Sequence, residues 1–587
     1  MSFDVLIKGG TVVDGTGCEP YVADVAIIGD KIVAVGTDLG EAKTIHDANG
    51  CYVAPGFVDI HTHYDGQATW DQEMAPSSWH GVTTVVMGNC GVGFAPAAPD
   101  RHDWLIGLME GVEDIPGSAL SEGMSWNWES FPEYLDALEE MPRAVDVATH
   151  VPHGAVRAYV MGDRGAANED PTESDIARMS NIVEEGLRAG ALGFSTSRTV
   201  LHKSIDGELV PGTTATPEEL IGIGRGMARV GHGVFEMASD LVPEWNEFEW
   251  MGDMSRETGL PVTFTALQSP IKAMPFDEQL AQMREQNAKG ANILAQISMR
   301  GTGLILGWRC TFNPFSFKPS WAEVAELDHD AQYERLANPA FKEKLLSEES
   351  VYPDGDLQSL TAIMSDGFTM QYDLCDGFNY EPTPAQSIAS LAADAGQTPA
   401  EYAYDLMMRD GGNGFIYFPL LNYADGNLNF LEPVLQSDDC INSLSDGGAH
   451  CGTICDAASP TFMLQHWVRD REGFRLSLSE AIKRQCADTA KVYGLDDRGI
   501  LAPGYLADIN IIELDEIGMS RPWVANDLPA GGKRLLQSAT GYKATFKSGV
   551  LTFDNGQHSG ATPGGLIRGP QASPAESESN SALKAAS

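Results

Sequence analysis

The stretch that decides the fold is residues 53–65, Val-Ala-Pro-Gly-Phe-Val-Asp-Ile-His-Thr-His-Tyr-Asp. A short apolar run ends here in two histidines, His61 and His63, which are one residue apart. Because alternate residues of a strand point to the same face, both imidazoles are predicted to project from one side of a strand end. Imidazole is a common ligand of zinc and similar divalent ions. The stretch therefore predicts part of a metal site, whose other ligands must come from elsewhere in the chain.

Eight apolar runs, with helical patterns between them, extend outward from this stretch. They lie at residues 57–60, 83–87, 144–148, 191–195, 233–236, 261–265, 292–296 and 441–446. One helix is predicted from Glu173 to Ala189, because Asp170-Pro171-Thr172 is a plausible cap and Gly190 a plausible end. The alternation predicts an α/β fold, a TIM-like (β/α)₈ barrel over residues 56–498.

The two ends of the chain have a different pattern. Residues 1–55 and 499–556 consist of short β-like runs separated by glycine and aspartate turns, which predicts a composite β-sandwich domain formed by both ends. Between about 308 and 400 the barrel pattern breaks, which predicts an insertion or lid over the barrel mouth. Residues 557–587 read as an extension, disordered from about 570 because the segment is rich in Ser, Ala, Pro and Glu. The stretch from Ser477 to Tyr493 reads as one final helix.

Composition limits the classes of partner. The 587 residues carry 83 acidic and 38 basic side chains, a formal charge of −45, so nucleic acid and anionic membrane are excluded as expected partners. No apolar run is long enough for a membrane span, and the N-terminus reads as a strand rather than a signal peptide. Nine scattered cysteines do not form a disulfide framework. A cytoplasmic protein with a small-molecule substrate is the expectation, and a homo-oligomer is compatible with the sequence.

Three strand-end motifs together resemble a known family. They are His61-Thr62-His63, Gly88-Asn89-Cys90-Gly91 and Ser445-Asp446-Gly447. The chain resembles the amidohydrolase superfamily, and specifically its D-aminoacylase (N-acyl-D-amino-acid deacylase) branch. Further matching stretches lie at residues 4–15, 54–59, 152–157, 160–162, 190–196 and 499–508. The resemblance is strong over residues 1–200 and 440–555 and thin between them.

The resemblance implies a zinc-bearing barrel whose metal ligands are His61, His63, Cys90 and Asp446. In this branch a cysteine stands where other members use a carboxylated lysine, and Cys90 occupies that place. Asp446 would be both a ligand and the general base. The chemistry of the set agrees, because two imidazoles, a thiolate and a carboxylate suit zinc, and an aspartate can pass a proton from water to a leaving amine.

The chain departs from the family on the fifth and sixth barrel strands, where the family normally adds two histidines. Neither stretch 233–240 nor 261–268 ends in a histidine, and His232 lies at the wrong end of its strand. Three arrangements stay open. The metal sits on the four residues named above, or Glu236, Asp240 or Gln268 substitutes as a ligand, or the site is metal-poor. The first is favoured, with one or two divalent ions and one expected here, because a catalytic zinc needs three protein ligands plus water.

Four further side chains are candidates for substrate binding: Arg198, His202, Arg300 and His450. Each arginine follows a predicted strand and is suited to bind a carboxylate bidentately. A loop histidine that merely caps or orients its own loop is as common as a functional one. A purely structural role therefore stays open for each of these side chains.

The function predicted from these residues and the resemblance is hydrolysis of an amide C–N bond of an N-acyl-D-amino acid or similar small N-acyl compound. Metal-activated water attacks and Asp446 is the general base. Two alternatives stand beside it: a hydrolase of a cyclic amide, lactone or other ester, and a metal-depleted barrel that binds or isomerises a ligand.

Overall fold

The computed structural model describes residues 2–269, 274–353, 358–375 and 377–575. The chain begins with five strands: β1 (Phe3–Val12), β2 (Tyr21–Ile28), β3 (Lys31–Gly36), β4 (Ala42–Asp47) and β5 (Tyr52–Pro55). These pair with strands from the far end of the chain, because β5 runs antiparallel to residues 509–512. Both chain ends therefore contribute to one nine-stranded sheet, whose buried face includes Ile7, Val25, Val53, Ile509 and Phe546.

The barrel begins directly after β5. Its first seven strands are β6 (Phe57–Asp59), β7 (Val82–Met87), β8 (Asp146–Pro152), β9 (Gly193–Arg198), β10 (Val234–Ser239), β11 (Val262–Thr265) and β12 (Ile293–Ile297). The intervening helices are α1 (His102–Glu113), α2 (Gly117–Gly123), α3 (Phe131–Glu139), α4 (His153–Met161), α5 (Asp163–Ala166), α6 (Glu173–Ala189), α7 (Pro217–Val230), α8 (Glu247–Thr258) and α9 (Phe276–Ala288). The predicted helix from Glu173 to Ala189 is confirmed as α6, with a capping box between Thr172 and Asp175.

An insertion with its own hydrophobic core follows the seventh barrel strand. It contains β13 (Thr302–Leu306), α10 (His329–Leu336), α11 (Pro339–Ser347), α12 (Gln358–Asp366), β14 (Tyr372–Asp373), α13 (Ile388–Ala395), α14 (Pro399–Met407), α15 (Arg409–Gly412) and β15 (Ile416–Leu421). Its core includes Trp308, Phe315, Leu336, Tyr404 and Phe418. These elements extend beyond the predicted range of 308–400 at both ends, because β13 and β15 are short apolar runs like those of barrel strands.

The eighth barrel strand, β16 (Cys440–Asn442), closes the barrel. The eight parallel strands run in the order β16-β12-β11-β10-β9-β8-β7-β6, which confirms the predicted (β/α)₈ barrel. Closure comes just beyond the last strand, where Thr62 forms a parallel bridge with Gly447. The His63 N–H donates to the Gly447 carbonyl at 2.8 Å, and the Asp446 N–H donates to the His61 carbonyl at 3.2 Å. The end of strand eight is thereby held beside the two histidines after strand one.

The helices after β16 are α16 (Ser459–Phe462), which continues into a π-helix (Met463–Asp470), α17 (Leu478–Gln485) and α18 (Ala487–Val492). The prediction of a single helix from Ser477 to Tyr493 is wrong. The helix is interrupted at Cys486, whose φ of −125° and ψ of −80° are not helical. A β-carbon on Gly499 would lie 2.8 Å from the Cys486 carbonyl carbon, so another segment packs closely against this break. Among the described residues, no helix is both long enough and apolar enough to cross a membrane.

The chain returns to β structure with β17 (Ile509–Ile512), β18 (Gly518–Met519), β19 (Trp523–Ala525), β20 (Arg534–Leu536), β21 (Ala539–Thr540), β22 (Tyr542–Lys547), β23 (Val550–Asp554) and β24 (Gln557–His558). Residues 563–571 then cross the base of the barrel, where Leu566 pairs with Val147 and Gln571 with Leu495. Ile567 is buried there in the same cluster as Val58 of β6. The disorder expected from about 570 falls mostly on residues 576–587, outside the described residues, while 570–575 follow this ordered segment.

Candidate metal centre and active site

Four predicted ligands converge at the carboxyl ends of barrel strands one, two and eight. His61, His63 and Cys90 are buried, and one donor atom from each lies within 4.8 Å of the others. The Cys90 Sγ is 3.4 Å from His61 Nε2. One carboxylate oxygen of Asp446 is 3.4 Å from His61 Nε2 and 3.7 Å from His63 Nε2. Two imidazoles, a thiol and a carboxylate thus face one point, which is a donor set suited to zinc.

The turn that carries Cys90 requires its glycines and is held by other strands. Cys90 has φ +53°, in the left-handed region that non-glycine residues rarely adopt. A β-carbon on Gly88 would lie 2.7 Å from the His150 carbonyl oxygen, and one on Gly91 would lie 2.7 Å from the Ser197 nitrogen. The Cys90 N–H donates to the carboxylate of Glu236 at 2.9 Å. Tight packing and this hydrogen bond direct the thiol inward at the cost of an unusual backbone conformation.

Burial and charge shift the pKa values of the four residues in different directions. Burial lowers the pKa of His61 to about 4, so its imidazole is neutral at pH 7. Burial also opposes charge on His63, but the charges of Glu113 and Asp446 raise its pKa to about 9. Burial acts to raise the pKa of Asp446, yet the two histidines lower it to about 2. At neutral pH these values give an ionised Asp446 carboxylate beside a protonated His63, and a metal ion at this point would take the place of that proton.

The thiol of Cys90 needs such a cation to ionise. Burial, with the nearby carboxylates of Glu236, Glu113 and Asp446, raises its pKa well above the ordinary value. A divalent cation displaces the proton of a coordinating thiol, since the thiolate is the ligand. The residues present therefore fit a zinc-type ion, with thiolate and carboxylate balancing its charge.

Three further side chains contact this set of four: Gln296, Glu113 and Glu236, of which only Glu236 was considered from the sequence, as a substitute ligand. The Oε1 of Gln296 lies 2.7 Å from His61 Nδ1. The Oε1 of Glu113, at the end of α1, lies 3.1 Å from His63 Nδ1. Sequence reasoning missed the first two because a Gln inside an apolar run and a Glu at a helix end carry no motif. The buried polar residue within Ile293–Ile297 was the available signal for Gln296.

The substitutes considered for the missing histidines lie in different surroundings. Glu236 is on the Nδ1 side of His61, 3.9 Å from that nitrogen, whereas Cys90 and Asp446 contact the Nε2 side. Asp240 accepts hydrogen bonds from Thr199 and Val200, and Gln268 bonds to Asp425 and to the Ala424 N–H. Glu236 therefore lies beside the predicted ligands, on the opposite side of the His61 ring from Cys90 and Asp446.

The four candidate substrate-binding residues separate into two pairs. His450 is a third exposed and lies 3.8 Å from Glu113, and burial lowers the pKa of His202 to about 3, with the charges of His450, His63 and Asp446 nearby. Both therefore lie near the four predicted ligands. Arg198 is buried in an ion pair with Glu247 at 2.7 Å, and Arg300 in one with Asp456 at 2.6 Å. Each arginine thus has a protein carboxylate as its partner.

A family model described as "Amidohydrolase family" matches residues 44–553. An N-acyl-D-aspartate deacylase of Alcaligenes xylosoxydans xylosoxydans is 28% identical over 577 residues, which cover 97% of this chain and 95% of the relative. A D-aminoacylase of the same organism is 38% identical over 231 residues, and that match spans 39% of this chain and 43% of the relative.

A solved D-aminoacylase structure, described in terms of its binuclear metal centre, superposes with a TM-score of 0.63. It is 22% identical, and the match covers 97% of this chain and all of that one. At that identity the likeness concerns the fold. The two chains share their overall fold over nearly their full lengths.

Proposed function

The chain belongs to the amidohydrolase family, and from that premise we propose that it is a metal-dependent hydrolase of a carbon–nitrogen bond other than a peptide bond. The observation that carries the proposal is the convergence of His61, His63 and Cys90 within 4.8 Å, with Asp446 in contact with both imidazoles. These four residues would hold the ion. When bound, such an ion polarises the substrate carbonyl and lowers the pKa of water toward neutrality.

Asp446 is the general base in this proposal. Its side chain is 15% exposed, whereas those of His61 and His63 are 1% and 2% exposed, so it is the member of the set that meets substrate and water. Its lowered pKa of about 2 keeps it ionised at neutral pH, as a base must be. It takes one proton from the attacking water and gives it to the leaving nitrogen. Water is thereby divided between the acyl carbon and the amine.

The substrate class we propose is an N-acyl-D-amino acid. The support is the relatives, which include deacylases named for N-acyl-D-aspartate and N-acyl-D-glutamate. His202 and His450 border the ligands and are the proposed contacts for substrate. Arg198 and Arg300 stay predictions, since a substrate carboxylate would have to compete with Glu247 or Asp456 for them.

A substrate panel on the full-length protein, incubated with excess Zn²⁺ and assayed for bound zinc, tests the proposal. Release of free amine is measured from N-acetyl and longer N-acyl derivatives of aspartate, glutamate and leucine, in both the D and L forms, beside cyclic amides and lactones. Turnover of the D-N-acyl compounds alone supports the proposal. Turnover of only the cyclic amides or lactones would replace it with the alternative hydrolase. Absence of any turnover, with less than about a tenth of an equivalent of zinc bound, would favour the metal-depleted barrel.

A further inference from the structure

Barrel strands five, six and seven meet the back of the metal centre through polar side chains. Glu236 of β10, Thr263 of β11 and Gln296 of β12 are each fully buried. Glu236 and Thr263 are register partners in adjacent strands. A barrel interior is ordinarily filled by branched apolar residues. The burial of three polar side chains here therefore needs an explanation.

The amide of Gln296 determines which nitrogen of His61 is free. Its Oε1 lies 2.7 Å from His61 Nδ1, and since an amide oxygen only accepts, Nδ1 carries the hydrogen. The lone pair is then on Nε2, the nitrogen that lies 3.4 Å from both Cys90 Sγ and Asp446. A metal ligand histidine is commonly fixed in this way by an acceptor behind it.

The orientation of Gln296 is itself fixed by neighbouring strands. Its Nε2 donates to the Thr263 hydroxyl at 2.9 Å, and its Oε1 accepts from the Ser443 hydroxyl at 2.8 Å. Strands six and eight therefore hold the amide from both ends. A hydrogen-bonded amide of this kind has a single favourable orientation, which transmits a single ring orientation to His61.

We propose that Gln296 is a positioning residue that holds His61 in the Nδ1–H form, oriented by Thr263 and Ser443. Glu236 has a parallel role for Cys90, whose N–H it accepts while its other oxygen has no hydrogen-bond partner. Strands five to seven thus support one metal ion by orienting its ligands. The inference rests on the proposed function only in that it requires a metal at His61, His63, Cys90 and Asp446.

Metal affinity tests this inference separately from activity. The full chain is stripped, and Zn²⁺ binding is measured by competition with a chromophoric chelator, together with the visible spectrum of the Co²⁺ form. Gln296→Leu is expected to weaken affinity about 10–100-fold and to alter the Co²⁺ bands. Gln296→Glu keeps the acceptor and is expected to stay within a few-fold of the unmodified protein. Gln332→Leu, which removes a buried glutamine in α10 of the insertion, is the matched control and is expected to bind normally.

Wild-type affinity and an unchanged Co²⁺ spectrum in Gln296→Leu would overturn the inference. If that variant does not fold, Thr263→Val decides, because it removes the hydroxyl that accepts from the Gln296 amide while keeping the shape of the side chain. A several-fold loss of affinity supports the inference, and an unchanged affinity overturns it. Failure of the unmodified protein to bind Zn²⁺ or Co²⁺ would instead remove the proposed function, so the two failures are distinguishable.

Discussion

Two groups of strands border the proposed metal site, and they supply different kinds of side chain. Strands one, two and eight supply His61, His63, Cys90 and Asp446, which face one point. Strands five and seven supply Glu236 and Gln296, which contact Cys90 and His61 from behind. Strand six supplies Thr263, which accepts a hydrogen bond from the Gln296 amide. A metal centre needs both ligation and orientation. In the proposed metal site, a strand end without a metal ligand still contributes by orienting a ligand on another strand.

The largest expected effect is on turnover, and it comes from Asp446, one of the four proposed ligands. Asp446→Asn removes the base while keeping a side chain of the same shape, so kcat is expected to fall about 10²–10⁴-fold. Bound zinc, measured by elemental analysis, is expected to persist on the other three ligands. Asp439→Asn, which breaks a partly exposed ion pair with Arg284, is the control. Full turnover in Asp446→Asn would remove the residue from its proposed role.

Cys90 separates ligation from orientation most directly. Cys90→Ala deletes a donor, and its loss of zinc affinity is expected to exceed the roughly 100-fold upper end for an orienting residue. The thiolate-to-metal absorption of the Co²⁺ form is also expected to vanish. Cys375→Ser alters a buried thiol in the insertion and is expected to change neither measurement. Retention of that absorption band in Cys90→Ala would show that Cys90 is not a ligand.

Residues of the barrel differ in how far the sequence alone predicts their roles. The barrel was predictable because eight apolar runs alternate with helical patterns. The four candidate ligands were named from His61-Thr62-His63 and from the family resemblance, and the structure brings these four side chains together. The proposed role of Gln296 was not predictable, because it depends on a contact with His61, 235 residues away in the chain. The interruption of the helix at Cys486 was also missed. Gly499 packs closely against Cys486, and a contact between separate segments is not visible in the local sequence. Sequence patterns identify residues with a distinctive chemistry, whereas orienting residues are recognised by their neighbours.

Glu113, at the end of α1, lies behind His63 much as Gln296 lies behind His61, and we expect it to orient that ring. Its carboxylate lies 3.1 Å from His63 Nδ1 and 3.8 Å from His450 Nε2. Glu113→Gln removes that charge and is expected to weaken zinc binding about 10-fold, the lower end of such effects. Glu110→Gln, on the same helix, is the control and is measured by the same chelator competition. A loss as large as that of Cys90→Ala would mean that Glu113 does more than orient His63.

The smallest expected effect is at Glu236, where the two roles are hardest to separate. If Glu236 only accepts the Cys90 N–H, Glu236→Gln retains an acceptor and zinc affinity changes by less than about 10-fold, while Glu236→Leu loses more. If Glu236 were instead a ligand in place of the missing histidines, both variants would lose affinity to a similar extent, because a neutral amide is a poor substitute for a carboxylate on zinc. The difference between the two variants, measured by chelator competition, is therefore the decisive quantity. Since Glu236 faces His61 from the Nδ1 side, we expect the variants to differ.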